Sequence, residues 1–247
     1  MRDHLMRSRF MRAWKMAHDK GFVFACGTID GTYLRAHSGS FHDEDEPYFV
    51  TFDLISGPQY RTRTIDVTVQ GPARDRSLHL ERSEQGLWTA LLQTEGGRQA
   101  DPELPDLHDA VDCDLWLSPL TNIMPVRRSG LAKPSPAVEE SISHVMAWID
   151  LPSLAVHRSR QDYQRLPSNS DGPAMIKLSD RDSEFKAEIE VDTQGFVIDY
   201  PNIATRVGEL ERIEEMITEI PSGLRAPVRA KYDSLVSDMA GDNFGRL

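Results

Sequence analysis

A β-rich protein with helices at its two ends is what this sequence predicts. Three observations carry that prediction. Apolar and polar residues alternate through residues 48–54, 60–70 and 184–200, the period of a half-buried strand. Glycine and proline close those runs at Ser56-Gly57-Pro58 and Gly71-Pro72. After about residue 207 the apolar period changes to that of a helix.

The elements follow in chain order. Met6, Phe10, Trp14 and Ala17 recur at helical spacing, and the basic residues Arg2, Arg7, Arg9, Arg12, Lys15 and Lys20 outnumber Asp3 and Asp19. The spacing predicts a basic amphipathic helix over residues 1–20. A membrane-surface or targeting helix is the other reading, and the two acids oppose it. Tyr48, Val50, Phe52 and Leu54 form one face of a strand; Ile65, Val67 and Val69 form one face of the next. Leu78 and Leu80, then Trp88, Ala90 and Leu92, suggest further short strands. Residues 138–149 are ambiguous, because Val138, Ile142, Val145 and Ile149 fit a helix while Ile142, His144, Met146 and Trp148 fit a strand face less well. Phe185, Ala187, Ile189 and Val191, the turn Asp192-Thr193-Gln194-Gly195, then Phe196, Ile198 and Tyr200 make the strongest hairpin signal. Val207, Leu210, Ile213 and Ile217 predict one C-terminal helix, and Leu224, Val228, Tyr232, Leu235 and Met239 a second, separated by Pro221 and Gly223.

Bulk properties narrow the function. A net charge of -11 opposes wholesale nucleic-acid binding, which needs clustered Lys and Arg. Cys26 and Cys113 are too few for a disulfide framework and have no zinc-site spacing, which points to a reducing, cytoplasmic setting. No apolar run approaches a membrane span, and the basic N-terminus lacks the apolar core of a secretory signal. A soluble protein is expected.

Two segments could carry chemistry. Strand parity puts Arg61 and Arg63 on the face of Ile65, Val67 and Val69, where guanidiniums are costly unless paired or wet. Either they sit at the mouth of an apolar cavity and hold anionic or hydroxyl groups, or they pair with acids at the sheet edge or are turned outward by a bulge. The stretch from Asp112 to Arg128 is the other. A strand over 112–117 places Asp112, Asp114 and Trp116 on one face, and Cys113, Leu115 and Leu117 on the other. Pro119 breaks the ladder, Leu120-Thr121-Asn122 turns, and residues 123–128 return as a second strand that sets Asp114 beside Arg127.

Weaker signals get structural readings. His37, His42, Asp43, Glu44, Asp45 and Glu46 read as a solvated acidic loop before a divalent-cation site. Gly96-Gly97-Arg98 reads as a turn, and Cys113, despite His108 nearby, as core. None of the phosphate-loop, zinc-protease or nucleophile-elbow motifs is present.

Several blocks, in order, resemble the putative glycolipid-binding family of mainly bacterial proteins. They are Tyr60-Arg61-Thr62-Arg63; Asp112-Cys113-Asp114 through Ser118-Pro119-Leu120-Thr121-Asn122 to Pro125-Val126-Arg127-Arg128; Leu151-Pro152-Ser153-Leu154-Ala155-Val156 with Gln161-Asp162-Tyr163; and the pair Phe185 to Val191 and Gly195 to Pro201. Tyr60, Ser118 and Leu120 replace the family's Trp, Thr and Phe. The resemblance spans about residues 22–207. It implies a spiral β-roll, a strongly curved antiparallel sheet wrapped around a helix, similar to periplasmic lipoprotein carriers.

The expected organisation is therefore an N-terminal helix over 1–21, a β-roll over 22–207 and a helical extension over 208–247. The expected function is non-enzymatic binding of a glycolipid, lipid or other amphiphile on the concave face of the sheet. Arg61, Arg63, Arg127 and Arg128 are the headgroup candidates. Asp112, Asp114, Trp116 and Asn122 complete the candidate site, and no cofactor or metal is expected. One alternative is an enzyme with Asp112 or Asp114 as acid or base, a glycosidase-like pair included. The other is an interaction module without a small ligand, with homo-oligomers formed through the terminal helices.

Overall fold

The computed structural model describes residues 7–17, 21–72, 75–94, 97–133, 141–167, 172–208 and 210–240. Among the described residues fifteen strands make one sheet. In chain order they are β1 (Ser8–Met16), β2 (Phe22–Asp30), β3 (Tyr33–His42), β4 (Tyr48–Ser56), β5 (Thr62–Gln70), β6 (Arg76–Arg82), β7 (Trp88–Thr94), β8 (Arg98–Ala100), β9 (Asp112–Leu115), β10 (Ile142–Ile149), β11 (Val156–Arg165), β12 (Ala174–Asp180), β13 (Lys186–Val191), β14 (Val197–Tyr200) and β15 (Ala204–Val207). Three helices accompany them: α1 (Ile123–Arg128), α2 (Leu210–Glu219) and α3 (Ser222–Ala240).

The strand order is β8-β7-β6-β5-β4-β3-β2-β1-β15-β14-β13-β12-β11-β10-β9. Neighbours are antiparallel except β9 and β10. Two meanders are thus joined by β1 and β15, which lie far apart in the chain. The sheet curls until its β9 edge reaches the first residue of β5. There the Thr62 amide donates to Val111 O (3.0 Å), and the Cys113 amide donates to Thr62 Oγ1 (2.8 Å). The spiral then overlaps itself: Arg82 Nε on β6 and Trp88 Nε1 on β7 both donate to Ala110 O, at 3.0 and 3.1 Å.

The inner face is filled by the chain's own side chains. Phe10, Trp14, Leu54, Ile65 and Ile189 meet Ile123, Met124 and Val126 of α1 in one core. A second core lies on the outer face, where Phe22, Phe24, Cys26, Phe41 and Phe49 are covered by Ile213 and Ile217 of α2 and Val228, Tyr232 and Leu235 of α3. Strand β2 is therefore buried on both faces, which is why it reads as a continuous apolar run without alternation.

Several expectations are corrected. Residues 8–16 are a strand and not a helix; residues 1–6 and 18–20 lie outside the described residues. Phe10 and Trp14 are four apart, a spacing that satisfies helix periodicity and strand parity alike. Pairing with β2 on one side and β15 on the other decides in favour of the strand. Residues 123–128 form α1, not a return strand. Pro125 stands in the first turn, where its missing N–H costs nothing, and Ile123, Met124, Pro125 and Val126 are all buried. Arg61 and Arg63 are exposed: the register of β4 and β5 shifts between Ile55 and Ser56, so Thr62 turns in and both arginines turn out, as the bulge reading has it.

His37 and His42 belong to β3 rather than to the acidic loop. His37 bonds Asp53 at 2.5 Å, and His42 faces the core, stacked 4.7 Å from Tyr48. Val207 ends β15 and does not start the helix. The ambiguous segment resolves as β10 from Ile142 onward; residues 138–140 lie outside the described residues. The hairpin over 186–200 forms as expected, with Gly195 at φ +88° and Asp192 Oδ1 accepting from the amides of Gln194 and Phe196.

Candidate functional site

A cleft of about 410 Å³ opens where β9 to β12 meet the turns after β12 and β14. That volume lies within the range of small-ligand pockets. Its apolar lining includes Leu115, Trp116, Trp148, Leu178, Phe185, Tyr200 and Ile203. Its polar lining comprises Asp114, Ser118, Asn122, Asp150, Gln161, Asp180 and Ser183.

Local structure explains the placement. Strand β9 pairs Asp114 with Trp148 of β10, and β11 pairs Gln161 with Asp180 of β12, so four functional side chains come from adjacent strands. Leu117 adopts φ +62°, which ends β9 and swings Trp116 toward Trp148; their ring centroids lie 5.7 Å apart at 65°. The turn that follows is tied by Thr121 Oγ1, which bonds both Ser118 O (3.1 Å) and Asp114 Oδ1 (2.7 Å).

The floor is a chain of buried hydrogen bonds. Gln161 Nε2 donates to Asp114 Oδ2 at 2.7 Å. The Tyr163 hydroxyl donates to Gln161 Oε1 at 2.8 Å and reaches Asn122 Oδ1 at 3.1 Å. Burial pushes the Asp114 carboxyl above the usual carboxylate range; the Gln161 and Thr121 hydrogen bonds oppose that, and the charges of Asp112 and Asp180 add to it. Burial likewise raises the Tyr163 phenol. Ser118 is 7% exposed, and its Oγ has no hydrogen-bond partner although it lines the cleft. A buried hydroxyl left in that state is costly unless a ligand or water completes it.

The predicted site residues divide. Asp114, Trp116 and Asn122 line the cleft. Asp112 is fully buried and is held by both guanidinium nitrogens of Arg128, with NH1 2.7 Å from Oδ1. Arg128 also donates to His144 Nδ1 (3.1 Å), which leaves His144 Nε2 as the donor to Ser129 Oγ (2.9 Å). Burial, then the Arg128 charge, lowers His144 to about 4. Arg127 donates to Gln194 O (2.6 Å) and sits 5.0 Å over the Tyr60 ring, so the expected Asp114–Arg127 pair does not form. A helix turns consecutive side chains about 100° apart, which sends Arg127 and Arg128 to different neighbours. None of Arg61, Arg63, Arg127 and Arg128 lines the cleft.

Trp148, Gln161, Tyr163, Asp180 and Ser118 escaped the sequence reading as site residues. Gln161 and Tyr163 had a signal, since they share one strand face in a block already marked by the resemblance. Asp180 and Trp148 had none, because their roles depend on strand pairing. Cys113 is buried in the core and its thiol is pushed up to about 12 by burial. Among the described residues no group of three His, Cys, Asp or Glu could hold a metal ion, and no helix is long and apolar enough to cross a membrane.

The family model described as "Putative glycolipid-binding" matches residues 11–206. A solved DUF1089 family protein from Pseudomonas aeruginosa is 26% identical, with a TM-score of 0.56 over 78% of this chain and 95% of that one. A β-barrel-like protein of the DUF1849 domain of unknown function from Brucella abortus is 6% identical, with a TM-score of 0.39 over 81% and 93% of the two chains. No curated protein matches. The family match begins inside β1, which agrees with that strand's place in the sheet.

Proposed function

Because the chain belongs to the putative glycolipid-binding family, we propose that it binds the headgroup end of a glycolipid or related amphiphile in the cleft between Trp116, Trp148 and Asp114, without chemical conversion. The observation that carries this reading is the meeting of two half-buried tryptophan rings with a polar floor and the unpartnered Ser118 hydroxyl. Tryptophan faces suit the C–H face of a sugar ring, while carboxylate, amide and hydroxyl groups suit its hydroxyls. Leu178, Phe185, Tyr200 and Ile203 give an adjoining acyl chain an apolar wall. The inner face of the sheet is already filled, so the cleft takes the place that the sequence reading assigned to the concave face.

Native mass spectrometry of gently purified protein, with calorimetric titration of octyl glucoside, tests the reading. Bound amphiphile and saturable binding are expected, with Trp116→Ala weakening the affinity about tenfold. No retained amphiphile together with no heat of octyl glucoside binding would overturn it.

One observation favours a second reading. Asp114 is a half-buried carboxyl in a cleft, and desolvation raises its pKa, the property of a general acid. Asp112, locked onto Arg128, has no part in it. Release of nitrophenol from aryl glycosides that is lost in Asp114→Asn would favour this enzyme reading.

A further inference from the structure

We infer that the cleft selects a headgroup carrying a protonated amine beside a hydroxyl, as in an amino sugar. This deepens the reading above and rests on it.

The inference starts from a contrast on one strand. Asp112 and Asp114 are two residues apart on β9, on the same face. Asp112 has a guanidinium counterion in Arg128. Asp114 has only neutral donors, the Thr121 hydroxyl and the Gln161 amide. Asp180 likewise receives only the Ser159 hydroxyl (2.5 Å) and the Asp182 amide (2.6 Å). Asp150 receives the Ser153 hydroxyl (2.5 Å). All three carboxyls line the same cleft, and among the described residues no Lys, Arg or His lines it.

A carboxylate with two neutral donors keeps lone-pair directions free. Three of them in one concave site focus negative potential outward and repel anions. This is the reverse of the arginine clamp expected from the sequence. The π-systems of Trp116 and Trp148, which line the cleft and meet edge to face, add a second attraction for a cation. Charge alone would leave the site undefined. The independent observation is Ser118, which lines the cleft and whose buried Oγ has no hydrogen-bond partner among the described residues. It asks the ligand for a hydroxyl or amine hydrogen-bonding group next to the cation. An amino sugar and an amino alcohol both supply that combination.

Octyl glycosides that differ only in charge test the inference, titrated into the full chain at low salt and at a pH where the amine is protonated. The probes are octyl 2-amino-2-deoxyglucoside, octyl glucoside and octyl glucuronide. We expect the amine to bind about tenfold more tightly than the neutral ring, the glucuronide to bind most weakly, and the gap to narrow at high salt. Asp114→Asn and Asp180→Asn should each weaken binding of the amine more than binding of the neutral ring, which shrinks the gap between the two. If one variant fails to fold, the other and the salt dependence of the unaltered protein still decide. Comparable binding of N-octylethanolamine would assign the amino alcohol as sufficient, whereas a preference for the amino glucoside would assign the ring. Neutral or anionic glycoside bound as tightly as the amine would overturn the inference and leave the proposed function standing. No binding of any octyl glycoside would overturn the inference, and together with no retained amphiphile it would overturn both.

Discussion

Arg128 shows how much one side chain can hold. It pairs with fully buried Asp112 and bonds His144, joining β9, α1 and β10. Arg128→Ala leaves the buried carboxylate without its counterion, and chemical denaturation should show a loss of about 3–5 kcal/mol. His42 makes a second prediction. It is fully buried, and burial lowers it from 6.5 to about 4. The unfolded chain therefore binds a proton that the folded chain refuses. Stability is complete above about pH 6.5 and falls as the pH drops toward 4, by up to about 3 kcal/mol from this residue. His144 adds to the same slope. Asp114 works with the opposite sign, because a raised carboxyl favours the folded state as the pH falls. Urea titrations across that range should show a shallower acid slope in His42→Gln. A slope identical to that of the unaltered protein would refute the assignment.

Elements owe their form to what covers them. β1 carries Phe10, Trp14 and Met16 toward the inner core and Ala13 toward the outer one, so both neighbours and both faces hold it extended. Gly27 lets β1, β2 and β3 approach closely: a Cβ there would stand 2.2 Å from Arg35 O and 2.7 Å from Phe10 Cζ. Gly27→Ala should therefore cost at least about 1–3 kcal/mol, read as a lower denaturation midpoint. α2 and α3 are held mainly by their apolar faces. Ile217→Ala, which empties a fully buried position against the outer face of the sheet, should cost about 2–5 kcal/mol. These helices spend Ile213, Ile217, Val228, Tyr232 and Leu235 on their own sheet, which leaves less apolar face for the interaction-module reading.

The whole molecule is a spiral whose cleft depends on a seam. Thr62 joins β5 to β9 through its amide and its Oγ1, and β9 carries Asp114 into the cleft. Thr62→Val leaves the Cys113 amide without its acceptor. It should cost about 1–3 kcal/mol and weaken octyl glucoside binding, while Thr62→Ser retains both. Thermal denaturation beside titration checks the pair. Much of this architecture was legible in the residues themselves. Alternation marked β4, β5, β6, β7 and the β13–β14 hairpin, and helical spacing marked α2 and α3. The block from Asp112 to Arg128 marked the family and held six of the cleft residues, of which Asp114, Trp116 and Asn122 were legible as site candidates. Those features are local, set by side-chain period and turn chemistry, and a sequence states them directly. Tertiary pairing decided the rest. Residues 8–16 are a strand because two distant partners flank them, 123–128 are a helix because they plug the roll, and a bulge opposite Ser56 turns Arg61 and Arg63 out. The cleft itself belongs to this class, since Asp114, Trp148, Gln161 and Asp180 meet only when four strands take their places. A period shows which face a residue shares, but which charge it will face depends on register across strands, and long-range packing sets that register.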